Sequence, residues 1–142
     1  MKKSYHVSPV AWNTDRNRIL LVRRKVFIEE QGVSESLEMD EKDASAFHLL
    51  ALNEEDLPIG TARLSKDGRI GRVSVLIEWR KAGVGRCLMH ALIREARGRK
   101  LRRVYLHAQT RTLGFYRKLG FSPRGEEFEE AGIPHFEMIL HL

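Results

Sequence analysis

Apolar positions change their spacing several times along this chain, and each change marks an element. Tyr5 to Val10 reads as a short first strand. Ile19, Val22 and Val26, with Leu20 and Phe27, then recur at helical intervals, and Asn13 or Thr14 supplies a capping side chain for that helix, which is expected to end near Gln31-Gly32. From Val33 to Ala44 the sequence is polar and acid-rich without a period, which predicts a loop with room for one helical turn. Phe47 to Leu52, Ile59 to Leu64 and Ile70 to Leu76 read as three antiparallel strands, joined by turns at Asn53 to Pro58 and at Lys66-Asp67-Gly68.

Beyond Gly85 the period becomes helical again, with Leu88, Ala91, Leu92 and Ala96 on one side and Gly98 as the stop. Val104 to Ala108 is a further strand, and Thr110 to Leu119 is a short helix closed by Gly120. Phe121 to Phe128 is partly extended. Pro134 to Leu140 alternates Phe136, Met138 and Leu140 against His135, Glu137 and Ile139, as a strand does. The order β, α, three β, α, β, α, β contains no internal repeat or low-complexity linker. It predicts a mixed α/β (α+β) class with one mixed sheet and helices on both faces.

Composition narrows the class further. A chain of 142 residues, 42% hydrophobic and 31% charged, fits one domain over residues 1–142 around one core. No stretch approaches the roughly 18 apolar residues of a membrane span, and the first residues lead into no apolar run, so a soluble, untargeted protein is expected. The lone cysteine, Cys87, excludes an intrachain disulfide. Its apolar helical setting reads as a small buried hydrophobe, and a reducing, cytoplasmic location is expected. The formal charge of +6 is concentrated between Arg94 and Arg103, where Arg94, Arg97, Arg99, Lys100, Arg102 and Arg103 stand against Glu95. A solvated helix end explains such a patch, and a nucleic-acid-binding module is the alternative. Against that alternative, Tyr105 is the one aromatic beside the patch and no reader motif occurs.

The densest chemical signal is the stretch from Val73 to Arg86, a strand, a short loop and a helix start, with the loop ending in Gly83 and Gly85. A helix N-terminus carries unpaired N–H groups and partial positive charge, so glycines there let a phosphate approach the amides, and Arg80 and Arg86 add fixed charge. The dinucleotide fingerprint fails, because a third glycine is absent and Arg102 and Arg103 stand where an acidic residue belongs. A P-loop fails too, since no Gly-Lys-Ser/Thr triplet occurs.

Arg80-Lys81-Ala82-Gly83-Val84-Gly85 resembles the Arg/Gln-x-x-Gly-x-Gly/Ala loop of the GCN5-related N-acetyltransferases (GNAT), with Ile77 where that family often has proline. Gln109 to Phe121 resembles a second segment of the family, through Tyr116 and Gly120-Phe121, with Gln109 replacing the usual asparagine and Thr112 the usual alanine. Phe27 to Val33, Asp40 to Asp43, His48, His107-Ala108-Gln109 and Gly132 to His135 are similar to the ElaA/YjcF-like subgroup, so the resemblance spans nearly the whole chain.

The resemblance implies the GNAT fold, a central, mostly antiparallel sheet flanked by helices. It implies acetyl-CoA as cosubstrate, with the pyrophosphate on Arg80, Lys81, Ala82, Gly83, Val84, Gly85 and Arg86. Backbone at Val73 and Val75 would hold the pantetheine arm, aided by Gln109 and Tyr116. It also implies an amine acceptor, in a small molecule or peptide, that attacks the thioester directly in a ternary complex. A backbone N–H near Val75 or Leu76 would stabilise the oxyanion, and Tyr116 would act as general acid toward the CoA thiolate.

An amine of reference pKa about 10.4 must lose a proton to become nucleophilic, and Glu29, Glu30, His107 and His135 are the candidate bases. Glu30 and His107 carry that expectation forward, with Glu29, Gln31 and His135 as acceptor contacts. No paired ligand spacing among the histidines suggests a metal. The protein is expected to be a monomer or homodimer with no membrane partner. An acyl-CoA-binding domain without turnover is the remaining alternative.

Overall fold

The computed structural model describes residues 3–32 and 40–142. Strand β1 (Tyr5–Val10) leads into helix α1 (Trp12–Arg23), which continues as a π-helix over Arg24–Glu30. The helix starts earlier than its expected caps. Ala11 holds the N-cap position, its carbonyl takes the N–H groups of Thr14 and Asp15, and Thr14 Oγ1 turns back to the same carbonyl. In the widened π-turns Gln31 N–H reaches Val26 O at 3.1 Å, a geometry that recurs at functional sites. The loop expected over Val33 to Ala44 falls partly outside the described residues. Within them, Glu41–Ala44 forms one 3₁₀ turn capped by the Asp40 side chain.

Strands β2 (Phe47–Asn53), β3 (Pro58–Leu64) and β4 (Ile70–Val75) complete an antiparallel sheet of order β1-β2-β3-β4. Helix α2 (Val84–Gly98) follows, ending at the expected glycine. Then come β5 (Arg103–Gln109), a 3₁₀ turn, α3 (Leu113–Lys118), β6 (Ser122–Glu130) and β7 (Ile133–His141). The last three strands form a second antiparallel sheet of order β5-β7-β6. The expected single sheet is therefore divided in two. The halves touch through one parallel bridge, Arg69 with Tyr105, where Tyr105 N–H donates to Gly68 O at 3.1 Å.

Past that bridge β4 and β5 separate, because β4 is bent. The β3–β4 register shifts between Thr61 and Arg63, which leaves an extra residue in β4, and Arg72 there has φ +52°. Such a bulge sharpens the twist of one strand and turns it away from its neighbour.

Strand alternation explains how helices cover both faces. Leu50 and Leu52 of β2 meet Ile19 and Trp12 of α1, while Phe47 and Leu49 face α2 beside Ala91. The apolar stripe of α2 (Leu88, Met89, Leu92, Ile93 and Ala96) is buried against Leu49, Ala51, Ile59, Ala62 and Leu64. Burying each large side chain contributes about 1.5–3 kcal/mol. Truncating the fully buried Leu92 to Ala would cost about 2–5 kcal/mol. Cys87 is exposed rather than buried, because it lies off this stripe, where its Sγ meets the Tyr5 hydroxyl at 3.2 Å.

Candidate active site

The gap between β4 and β5 is the mouth of a cleft of about 1120 Å³. The turn after β4 supplies one end of it. Arg80 N–H donates to Ile77 O, and Cys87 N–H is the first in α2 to find a carbonyl, that of Gly83. Among the described residues the N–H groups from Lys81 through Arg86 have no protein acceptor. Lys81 (φ +69°) and Gly83 (φ +87°) hold the left-handed backbone that gathers these donors at the start of the helix. Gly85 has an ordinary φ, and a Cβ there would sit in van der Waals contact with Phe115 Cζ at 3.4 Å and Val75 Cγ2 at 3.8 Å, so the glycine leaves open the space between these two cleft residues. Val84 is buried in the core, so it and Ala82 can offer only backbone, whereas Arg86 is exposed at the cleft rim.

The free edge of β4 borders the gap. Leu76 N–H is committed to Ile59 O at 2.9 Å, and alternation then turns the backbone groups of Val75 away from β3. Val75 O accepts from Arg80 Nε at 3.0 Å, as that orientation requires. Of the two N–H groups considered from sequence, Leu76 is thus already used and Val75 is the one facing the cleft. Arg80 is also in a two-pronged ion pair with Glu30, its Nη1 at 2.6 Å from Glu30 Oε1. That pair holds the Glu30 carboxyl below its ordinary pKa. Both oxygens are engaged, so Glu30 is poorly placed to take a proton. Glu29 is exposed and does not border the cleft.

Tyr116 of α3 lines the cleft from the other side, packed edge-on against Phe115 and Phe121. Its hydroxyl has no hydrogen-bond partner among the described residues, and burial pushes the phenol pKa up to about 12. Gln109, at the end of β5, joins two residues: its amide donates to Gln31 Oε1 at 2.9 Å and accepts from Arg111 Nε at 2.9 Å.

Deeper in the cleft the walls are charged. On the β5–β7–β6 side, His107 Nδ1 lies 3.0 Å from both Glu130 Oε1 and Arg69 Nη2. One partner accepts and the other donates, so the tautomer of His107 decides which bond is made. Buried His135 shares its ring nitrogen Nδ1 with Ile133 O at 2.7 Å, and Glu130 Oε2 is 3.7 Å from Nε2. Burial raises the pKa of Glu130, but the His107 hydrogen bond and the nearby His135 and Arg69 outweigh it and leave the carboxyl lower than usual.

Opposite stands a buried cluster. Arg23 and Asp43 form a two-pronged pair, Arg63 joins both Asp43 and Asp40, and Arg72 reaches Asp40 at 3.3 Å. Beneath it His48, fully buried and stacked on Trp12, donates Nε2–H to Asp43 O over 2.7 Å. Its Nε2 carries the proton because a carbonyl oxygen only accepts, and burial pushes the pKa of the ring down.

The structure therefore brings Val73, Val75, Arg80, Lys81, Gly83, Val84, Gly85, Arg86, Gln31, Gln109, His107, His135 and Tyr116 to one cleft and leaves Glu29, Glu30 and Ala82 out of its lining. Sequence reading missed Arg63, Arg69 and Arg72. A signal for Arg63 existed: an arginine inside the apolar strand Thr61-Ala62-Arg63-Leu64 needs a buried carboxylate, and the Asp40 to Asp43 run offers it. Nothing in the letters marks Arg72, since its position depends on the bulge.

Comparison with known proteins agrees with this geometry. The family model described as "Acetyltransferase (GNAT) domain" matches residues 12–142. The Bacillus subtilis "Uncharacterized N-acetyltransferase YjcF" is 38% identical over 122 residues, covering 83% of this chain and 86% of that protein. Among solved structures, Escherichia coli ElaA superposes with a TM-score of 0.85 at 28% identity, covering 96% of this chain and 99% of that one. An acyl-CoA N-acyltransferase from Pseudomonas aeruginosa gives 0.83 at 27%, with the same coverage. The mixed α/β fold with helix-flanked antiparallel sheets is the fold of these neighbours.

Proposed function

We propose, since the chain belongs to the acetyltransferase (GNAT) family, that it transfers an acetyl group from acetyl-CoA to the amine of a small molecule or peptide by direct attack in a ternary complex. One observation carries this reading: a single cleft is lined by Lys81 and Gly83 to Arg86, whose amides are unpaired among the described residues, by the free edge of β4 at Val75, and by the phenol of Tyr116. The residues fit the coenzyme. The amides and Arg86 suit a pyrophosphate, and the space kept open by Gly85 between Val75 and Phe115 suits a slender arm.

The thioester supplies the electrophilic carbonyl. Val75 N–H faces the position where negative charge grows on that oxygen, a role in which a fixed backbone donor is most effective. Arg80 covers Val75 O, and giving up that bond is the rearrangement this reading requires. The amine must arrive neutral, and His107, backed by Glu130, is the best-placed group to take its proton. As the new C–N bond forms the C–S bond breaks, and Tyr116 donates its phenolic proton toward the departing sulfur. With a thiol near 8.5 and this phenol at about 12, complete transfer is uphill by roughly 5 kcal/mol, so Tyr116 acts through a hydrogen bond that strengthens on the sulfur, and the proton the amine releases completes the thiol.

The test is initial-velocity kinetics of CoA release with varied acetyl-CoA and a panel of amines. Intersecting patterns are expected. Release of CoA that no amine accelerates would leave hydrolysis or binding alone, and parallel patterns would point to an acyl-enzyme instead.

A further inference from the structure

Among the described residues, the charged pairs around the acceptor end of the cleft hold their arginines unequally, and Arg72 is held least. Arg63 holds Asp40 with both prongs, at 2.7 and 2.8 Å, and also reaches Asp43. Arg72 is left with one long contact of 3.3 Å to an Asp40 oxygen that Arg63 already occupies. Its Nε is buried with no partner among the described residues, as is the Nε of Arg63, which is itself 2% exposed. Both arginines line the cleft. Burial and the neighbouring Arg63 cation push the Arg72 pKa down, the mark of a cation short of anions. Arg72 is also held at φ +52°, a left-handed conformation that non-glycine residues disfavour, so the bulge places this side chain against its local preference. The wall across the gap is mixed: Glu130, 44% exposed, stands beside His107 and His135, with the Arg69 guanidinium 3.8 Å from it.

We infer that the acceptor is an amine that also carries a carboxylate, as an amino acid does, with Arg72 receiving the carboxylate while His107 and Glu130 face the amine. This rests on the acetyltransferase reading above and names its substrate class. A singly charged carboxylate fits better than a phosphate, because a single weakly held arginine would receive it and Asp40 lies beside it. Arg72 is thereby a specificity-determining residue.

The experiment compares amino acids with their decarboxylated amines, their carboxamides and their aminophosphonate analogues, each as acetyl acceptor at saturating acetyl-CoA. Carboxylate-bearing amines are expected to show kcat/KM higher by about 10- to 100-fold than the uncharged analogues, the range of a charged hydrogen bond. In Arg72→Met that preference shrinks to within about 3-fold through a raised KM, and Arg72→Lys restores part of it. Acetylation of the decarboxylated amines or carboxamides as fast as the acids would overturn the inference while leaving the acetyltransferase reading intact. So would a preference for phosphonates, or an unchanged preference in Arg72→Met. If acetyl-CoA neither binds nor is consumed, both fall together.

Discussion

Tyr116 meets two demands that pull apart. Burial keeps its phenol protonated, with a pKa of about 12, and the same burial makes it a reluctant acid. Its contribution is therefore a hydrogen bond that strengthens as the C–S bond breaks, and Tyr116→Phe is expected to lower kcat by roughly 100-fold, the low end for acid-base residues. Acetyl-CoA affinity should stay within about 3-fold, since the ring packing against Phe115 and Phe121 survives. Because the phenol titrates near 12, the rate should show no basic limb from this residue below about pH 10. A limb near pH 8 that disappears in Tyr116→Phe would show that the phenol is not held as described.

His48 makes a separate prediction at the same scale. Its pKa is depressed in the folded state, so as pH falls the unfolded chain takes up the proton first. The stability it contributes is complete above about pH 6.5 and is lost as pH falls from there through the folded value. In His48→Gln an amide can still donate to Asp43 O without titrating, so the decline in Tm between pH 7 and pH 5 should become shallower. An equal slope in both proteins would rule His48 out as its source.

At the scale of elements, two nearby glycines serve the start of α2 and the cleft beside it through different properties. Gly83 is needed for its backbone, at φ +87°, and Gly83→Val should lower stability by about 1–2 kcal/mol as well as weaken coenzyme binding. Gly85 is needed for its emptiness. Its φ is ordinary, so Gly85→Val should keep Tm within a few degrees yet reduce acetyl-CoA affinity more than about 10-fold by filling the space before Phe115 and Val75. Measuring Tm and Kd for both variants separates the roles, and equal affinity for Gly85→Val and wild type would move the coenzyme arm elsewhere.

The glycines themselves were readable because a strand, a Gly-x-Gly loop and a helical period follow one another in the letters. The gap was not. It arises from the extra residue in β4 at Arg72, and a positive φ at an arginine leaves no sequence mark. Cys87 shows the same limit: the apolar period of α2 was clear, but the side of the stripe on which Cys87 lies depended on where the sheet sits.

Across the whole molecule, the order of helices and strands was legible because each element carries its own period and its own stop, such as Gly98 ending α2. The division into two sheets was not, since the pairing of β7 between β5 and β6 is a long-range choice that alternation alone does not encode. The basic patch is read differently once the fold is known. Arg99 pairs with Glu95 and lies over Phe47, Arg103 lies over Tyr105, and none of the patch residues lines the cleft. The molecule's surplus charge and its candidate chemistry are in different places. Among the described residues no helix is long and apolar enough to cross a membrane.

The central claim, that this cleft is an acyl-CoA site, is open to thermal unfolding of wild type and Gly85→Val with acetyl-CoA, CoA and a short RNA at two salt concentrations. At a ligand concentration near 100 Kd, binding to the native state alone adds about 2.7 kcal/mol. A rise in Tm with acetyl-CoA and CoA, little changed by salt and lost in Gly85→Val, is the predicted result. No rise with either coenzyme, together with a salt-sensitive rise with RNA, would contradict it.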